Sequence, residues 1–215
     1  MARLVLFGAT GYAGTRIREE ALRRGHEVVA VARDTTALAG GPGVTVRQGS
    51  LHDEAFVRET AVGADVLVCA IPGRPLDGAT LLDAVPVLVA AAAAQDARLG
   101  VVGGAGSLRT SADGPKLIDT PEFPEAFKLE AGSHSEVLDA LRANGSAADW
   151  FYLSPAAGFG AHTPGRRRGT YRVGGEVLLS DEEGVSAIGG EDFATAFVDE
   201  IERPAHHRQR FTVAY

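Results

Sequence analysis

The 215-residue chain has a single cysteine, Cys69, a single tryptophan and a single methionine. One cysteine excludes an intrachain disulfide and any multi-cysteine metal site, and points to a cytoplasmic setting. Long apolar runs are absent too: the longest, Val85 to Ala94, is about half of what a membrane-spanning helix requires, and much of it is alanine. The apolar stretch Leu4 to Phe7 is too short for a signal peptide. Positive charge is in short supply, with 21 Lys and Arg against 28 Asp and Glu, a net −7 that argues against nucleic-acid or anionic-membrane partners in general. No repeat or low-complexity tract is present. Hydrophobic residues at 45% and charged residues at 23% are ordinary globular usage, so disorder and fibrous classes are excluded as well.

What the chain does have is glycine in a telling place. Arg3 to Phe7 reads as an apolar strand; Gly8, Gly11 and Gly14 follow, and a helix-forming run starts at Thr15. A strand, a glycine turn and a helix form a phosphate cradle. Gly8 permits the turn, Gly11 removes the side chain that would block a pyrophosphate, and Gly14 lets the helix pack close to the strand. The helix then aims free N–H groups at the anion. The spacing is G-x-x-G-x-x-G rather than G-x-G-x-x-G, so the position between strand and helix is what specifies the motif.

The pattern after the cradle alternates strands and helices. Residues 15–24 form an amphipathic helix closed by Gly25, and Glu27 to Ala32 a nearly continuous apolar strand of the kind buried in a parallel sheet. At its end stand Arg33 and Asp34, where dinucleotide folds distinguish a ribose hydroxyl from a 2′-phosphate. Arg33 comes first and favours NADP, with NAD the alternative on Asp34; a solvated loop pair is the bland reading. Val44 to Arg47 is a third strand, Asp53 caps a helix, and Leu51 and His52 are placed to flank an adenine ring. Asp65 to Ile71 is a fourth strand, broken by Pro72-Gly73 where ribose and nicotinamide should lie. Cys69 within it is a buried, inert thiol. A helix over 79–94 contains Pro86, and Arg98 to Val102 is a fifth strand running into Gly103-Gly104-Ala105-Gly106-Ser107. Ser107 is a candidate hydroxyl donor to substrate, or a turn serine.

The connection from Leu108 to Pro124 is long enough to cover a site. A helix over 125–143 carries His134, a sixth strand spans Trp150 to Leu153, and a glycine-rich loop with Arg166 to Arg168 follows, either an anion contact or a solvated face. Tyr171 to Val173 and Val177 to Leu179 look like a hairpin through Gly174-Gly175. Glu191 to Glu202 is a helix and Arg210 to Tyr215 a closing strand. The whole of 1–215 therefore reads as one α/β Rossmann domain, a doubly wound parallel sheet of about seven strands in order 3-2-1-4-5-6-7. Helices cover both faces, and segments near 108–124 and 155–180 lie over the substrate.

With these residues in hand, the chain resembles the atypical short-chain dehydrogenase/reductase superfamily along its full length. The likeness is to small members described as NADH-flavin reductases, themselves similar to flavin/biliverdin reductases and NmrA-like proteins. It rests on Gly-Ala-Thr-Gly-Tyr-Ala-Gly at 8–14, Val-Val-Gly-Gly-Ala-Gly-Ser-Leu at 101–108, Asp-Thr-Pro-Glu-Phe-Pro at 119–124, Leu-Ser-Pro-Ala-Ala at 153–157 and the ending at 208–215. The resemblance implies NAD(P) held at its pyrophosphate by Gly8, Thr10, Gly11, Tyr12, Ala13 and Gly14. Arg33 and Leu51 would lie at the adenosine, and Ala70, Ile71, Pro72 and Gly103 toward the nicotinamide. Ser50 stands where the family often has an acidic residue near adenine.

The superfamily's catalytic Tyr and Lys, separated by three residues, are missing: Tyr12, Tyr152 and Tyr171 are followed four residues on by Arg16, Ala156 and Gly175. Carbonyl reduction needs such a proton donor, whereas a flavin or quinone delocalises the incoming charge. The expectation is an NAD(P)H-dependent reductase of a planar acceptor, a flavin, quinone or tetrapyrrole, with Ser107 and His134 at the acceptor, no metal, and a monomeric or homodimeric state. A non-enzymatic NADP(H) sensor is the alternative; a sugar-nucleotide epimerase or dehydratase is disfavoured by the missing pair.

Overall fold

The computed structural model describes residues 1–75 and 78–215. Among them eight strands form one sheet: β1 (Arg3–Phe7), β2 (Glu27–Ala32), β3 (Val44–Gln48), β4 (Val66–Cys69), β5 (Arg98–Val102), β6 (Trp150–Ser154), β7 (Arg172–Gly174) and β8 (Gln209–Ala214). The order is β3-β2-β1-β4-β5-β6-β8-β7, all parallel except β7, which runs antiparallel to β8. The expected Rossmann order holds from β3 through β6. The last strand of the chain takes the seventh place, and the eighth, Arg172–Gly174, is the strand expected as one arm of a hairpin, paired antiparallel to β8 instead.

Helices α1 (Tyr12–Arg23) and α5 (Gly190–Glu202) lie on one face; α2 (Glu54–Thr60), α3 (Leu81–Ala94) and α4 (Glu125–Ala143) cover the other. Alternation along each strand builds both layers. In β1, Leu4 and Leu6 join Ile17, Phe193 and Phe197, while Val5 and Phe7 join Val57, Leu81 and Leu88 on the opposite side. Leu4 to Phe7 are at most 1% exposed, which explains why β1 reads as a continuous apolar run. α1 and α5 are further clamped by Arg24, whose guanidinium reaches Glu20, Asp199 and Glu202, each at 2.7 Å.

Two local expectations are corrected. α1 begins at Tyr12, three residues before Thr15, because Gly11 itself serves as the N-cap in an extended conformation; a glycine-rich first turn carries no apolar periodicity to read. The hairpin through Gly174-Gly175 does not form. Glu176 is drawn instead to the guanidinium of Arg210, which is only 2% exposed and needs a carboxylate partner. The following residues then pair with Arg109: Leu178 N–H donates to the Arg109 carbonyl at 2.8 Å. Arg172 to Gly174, left without a hairpin partner, adds to the open edge of β8. Pro86 sits inside α3, whose start is fixed by Thr80 and Asp83; the Asp83 carboxylate accepts from the Thr80 N–H and hydroxyl, both at 2.8 Å.

Candidate cofactor cleft and the crevice beside it

Strand order reverses between β1 and β4, and an open α/β sheet offers its crevice at the carboxyl ends of the strands at that point. A cleft of about 310 Å3 lies there, lined by Phe7, Gly8, Thr10, Gly11, Val31, Ala32, Arg33, Gly49, Ser50, Leu51, His52, Ala70, Ile71, Pro72, Arg74 and Ala79. The glycines of the cradle divide by role. Gly8 has φ +86° and a Cβ there would lie 2.4 Å from the Ala70 carbonyl oxygen, so the turn and the neighbouring strand both demand glycine. A Cβ on Gly14 would meet the Gly8 carbonyl oxygen at 2.0 Å, which is the close helix-to-turn packing expected of it. Gly11 is exposed, and a Cβ on it would approach nothing nearer than the Gly8 oxygen at 3.4 Å. Its bare backbone is not required by the protein's own packing and faces the cleft.

The start of α1 suits an anion. Gly11 has no capping side chain, the first turn has no acidic residue, and Thr15 is the first residue whose N–H bonds within the helix, to the Gly11 carbonyl at 2.9 Å. The N–H groups of Tyr12, Ala13 and Gly14 are the orphan donors of that terminus. Around the rim, Arg33, His52 and Arg74 bring cationic or titratable groups, and the described lining residues include no Asp or Glu. Arg74 was not singled out in the sequence, although a cation directly after the strand-breaking Pro72-Gly73 was the available signal. Asp34 is turned away into its own loop, accepting from the Thr36 N–H at 2.9 Å, and that bond holds its carboxyl below the usual range. The residues present therefore fit a dinucleotide phosphate.

Not every candidate faces this cleft. The Tyr12 ring packs edge-on against Phe159 at 5.3 Å and lies under the Arg16 guanidinium at 3.9 Å, and Ala13 is buried in the core; what these two offer a ligand is backbone N–H. Gly103 is required by the Tyr152 ring, which a Cβ would meet at 2.0 Å. Cys69 is 1% exposed and burial pushes its thiol up to about 12, so it stays inert.

Beyond Pro72 the ends of β4 and β5 meet α4. His134 is 6% exposed and wedged under both strand ends: a Cβ on Gly73 would lie 2.8 Å from its Cδ2, and one on Gly104 3.3 Å from its Cβ. Its Nδ1 is buried without a hydrogen-bond partner, and burial pulls the imidazole down to about 4. At neutral pH the ring is therefore uncharged. Tyr152 fixes the distance between helix and strand end, donating its hydroxyl to the His134 carbonyl at 2.9 Å and accepting from the Gly104 N–H at 3.1 Å. Ser107 is held elsewhere: its buried Oγ accepts from Arg210 Nη1 at 3.0 Å, inside the network that also takes Glu176 and Arg142. Residues 108–124 fold back on that network, with Leu117 N–H bonded to the Leu108 carbonyl at 2.8 Å. The segment 155–180 crosses from Phe159, against Tyr12, to His162, against Phe127. Neither segment contributes to the lining of the cleft at the switch point.

A doubly wound sheet with an anion-ready glycine cradle at its switch point defines a nucleotide-binding α/β protein. The family described as NAD(P)H-binding matches residues 8–204, and the chain belongs to it. It is 35% identical to the Bacillus subtilis protein YwnB over 213 residues, which is 98% of this chain and 97% of YwnB. Among solved structures it is similar to a Streptococcus pneumoniae protein that bears the name NADH-flavin reductase, at 31% identity and TM-score 0.84 over 100% and 99% of the two chains. A Bacteroides thetaiotaomicron protein named as an epimerase superposes with TM-score 0.88 at 33% identity over 100% and 97%. A shorter match, 33% identical over 78 residues, covers 34% of this chain and 26% of a pinoresinol-lariciresinol reductase from Arabidopsis thaliana.

Proposed function

We propose that the protein is an NADPH-dependent reductase that passes hydride to a planar, conjugated acceptor such as a flavin, quinone or tetrapyrrole. The observation that carries this reading is His134. At the ends of β4 and β5, where acceptor and nicotinamide would meet, the titratable side chain supplied by α4 is a neutral imidazole with a pKa near 4. Such a ring can donate or accept a hydrogen bond but is a poor acid for a developing alkoxide at neutral pH. An acceptor that spreads the charge over its own rings does not need that acid. The same reasoning sets aside an epimerase, whose chemistry passes through a carbonyl and relies on the missing Tyr and Lys.

In this reading the Tyr12, Ala13 and Gly14 N–H groups hold the pyrophosphate, Gly11 lets it approach, and Arg33 pairs with the 2′-phosphate, aided by His52 and Arg74 at the rim. Leu51 and Ile71 supply apolar walls for the adenine and the ribose-nicotinamide end. Bound there, the dinucleotide supplies the hydride. Tyr152 keeps α4 at a fixed height over Gly104 and so keeps His134 and the strand ends in register. Ser107, its hydroxyl tied to Arg210, has no direct part at the acceptor in this reading. The cytoplasm, where thiols such as Cys69 stay reduced, is the compartment that fits.

The test is a titration with NADPH and NADH, followed by FMN, riboflavin, quinones and biliverdin while reduced-nicotinamide absorbance is followed. Tighter NADPH binding with acceptor-dependent oxidation supports the reductase. Binding without oxidation by any acceptor would instead favour a redox sensor.

A further inference from the structure

The helix that buries His134 is longer than the edge it packs on. α4 meets the ends of β4 and β5 at Glu130, whose carbonyl oxygen would lie 2.6 Å from a Cβ on Gly73, at Ala131, which closes on Gly106, and at His134. Before Glu130, every residue from Pro124 to Leu129 is exposed, so about the first turn and a half stands free above the sheet edge. Phe127 is seven residues before His134, close to two helical turns, and therefore projects from the same face about 10 Å further out. Its phenyl ring is 42% exposed.

That ring is not alone. His162 stacks on it, with ring centroids 5.0 Å apart and planes 29° from parallel. The histidine arrives on a tight turn in which the Thr163 N–H bonds to the Gly160 carbonyl at 3.1 Å. Gly160 has φ +132°, and a Cβ there would lie 2.8 Å from the His162 ring, so only glycine lets the imidazole fold back toward Phe127. Two elements, the start of α4 and the turn at Gly160–Thr163, thus converge on one exposed pair of flat rings.

We propose that Phe127 and His162 are specificity-determining residues for the acceptor, forming the outer wall of its site and binding it by stacking on its conjugated plane. The proposal rests on the reductase reading and assigns the part of the molecule that would choose among acceptors. Aromatic faces favour offset stacking with another flat ring over contact with a non-planar ligand, and burying the free part of Phe127 under such a ring adds apolar area to the gain. An acceptor held only by the nicotinamide side would be recognised by size alone; a second aromatic wall selects for planarity.

The experiment is a titration of the NADP⁺-loaded protein with FMN and, separately, menadione, read by flavin fluorescence and by calorimetry. Wild type is compared with Phe127→Ala, Phe127→Trp and His162→Ala. The expected result is an acceptor Kd raised about tenfold by Phe127→Ala and less by His162→Ala, and restored by Phe127→Trp, with NADPH affinity and the unfolding midpoint unchanged. If Phe127→Ala binds both probes as wild type does, or if wild type binds neither, the proposal is overturned. NADPH oxidation measured in parallel separates the two claims, since acceptor bound through Phe127 but never reduced would sink the reductase reading and leave this one standing.

Discussion

Gly11 and Gly14 are three residues apart and answer to different constraints, so substituting them should fail in different ways. Gly11→Ala meets no closer protein atom than 3.4 Å and should keep the unfolding midpoint of wild type, while NADPH affinity falls about tenfold or more because the new methyl occupies the pyrophosphate side. Gly14→Ala, 2.0 Å from the Gly8 carbonyl oxygen, should lower stability by several kcal/mol, as overpacking against rigid backbone does. Urea denaturation beside cofactor titration distinguishes the two. His134 makes a pH prediction. Its pKa falls from the ordinary 6.5 to about 4 on folding, so between those values the unfolded chain binds a proton that the folded chain refuses. Stability should decline as pH drops through that window, by at most roughly 3 kcal/mol, and the loss should be complete below pH 4. Urea midpoints of His134→Asn, measured from pH 7 to 4, should show a flatter acid limb than wild type. The sequence marks His134 only by its place on a helix. Its burial comes from Gly73 and Gly104, which belong to two other elements, and no local pattern records that. Gly8, Gly11 and Gly14 were legible because their constraints act within one turn of chain.

At the scale of elements, the joint between α1 and α5 is the place where charge should matter most. Arg24 is largely buried and serves three carboxylates, whereas the Arg58–Glu54 pair on α2 is exposed at 60% and 64%. Arg24→Ala should therefore cost about 2 kcal/mol or more, because it leaves Glu20 of α1 facing Asp199 and Glu202 of α5 across the joint with no cation between them. Arg58→Ala should cost a few tenths of a kcal/mol, as exposed helical pairs do. Chemical denaturation of the two variants decides whether the difference is real. Strands and helices from β1 to β6 follow apolar period and capping signals that sit inside each element, such as Asp53 accepting from the Phe56 N–H at 3.0 Å. The misread hairpin had the opposite cause. What displaces it is the Arg210–Glu176 pair, with partners 34 residues apart, and a turn signal as strong as Gly174-Gly175 is overridden by the need to neutralise a buried guanidinium.

For the whole molecule, cofactor binding and folding are linked. At a concentration of 100 times its Kd, NADPH should stabilise the fold by about 2.7 kcal/mol, a shift of several degrees in Tm. NADH at the same concentration should shift it less, and Arg33→Ala should erase the difference between the two; equal shifts in wild type would remove the 2′-phosphate role from Arg33. The sheet carries one more consequence, in the order of synthesis. β8 lies between β6 and β7, yet it is made after both. Until it emerges, β6 is an open edge and β7 has no strand to join. A growing chain can complete β3 to β6 and still present Trp150 to Ser154 as a bare, apolar template, the kind of edge that recruits a second chain. Speed of release and helper proteins at that moment would then decide yield, and substitutions in Gln209 to Ala214 should reduce recovered protein more sharply than their effect on the finished fold would suggest.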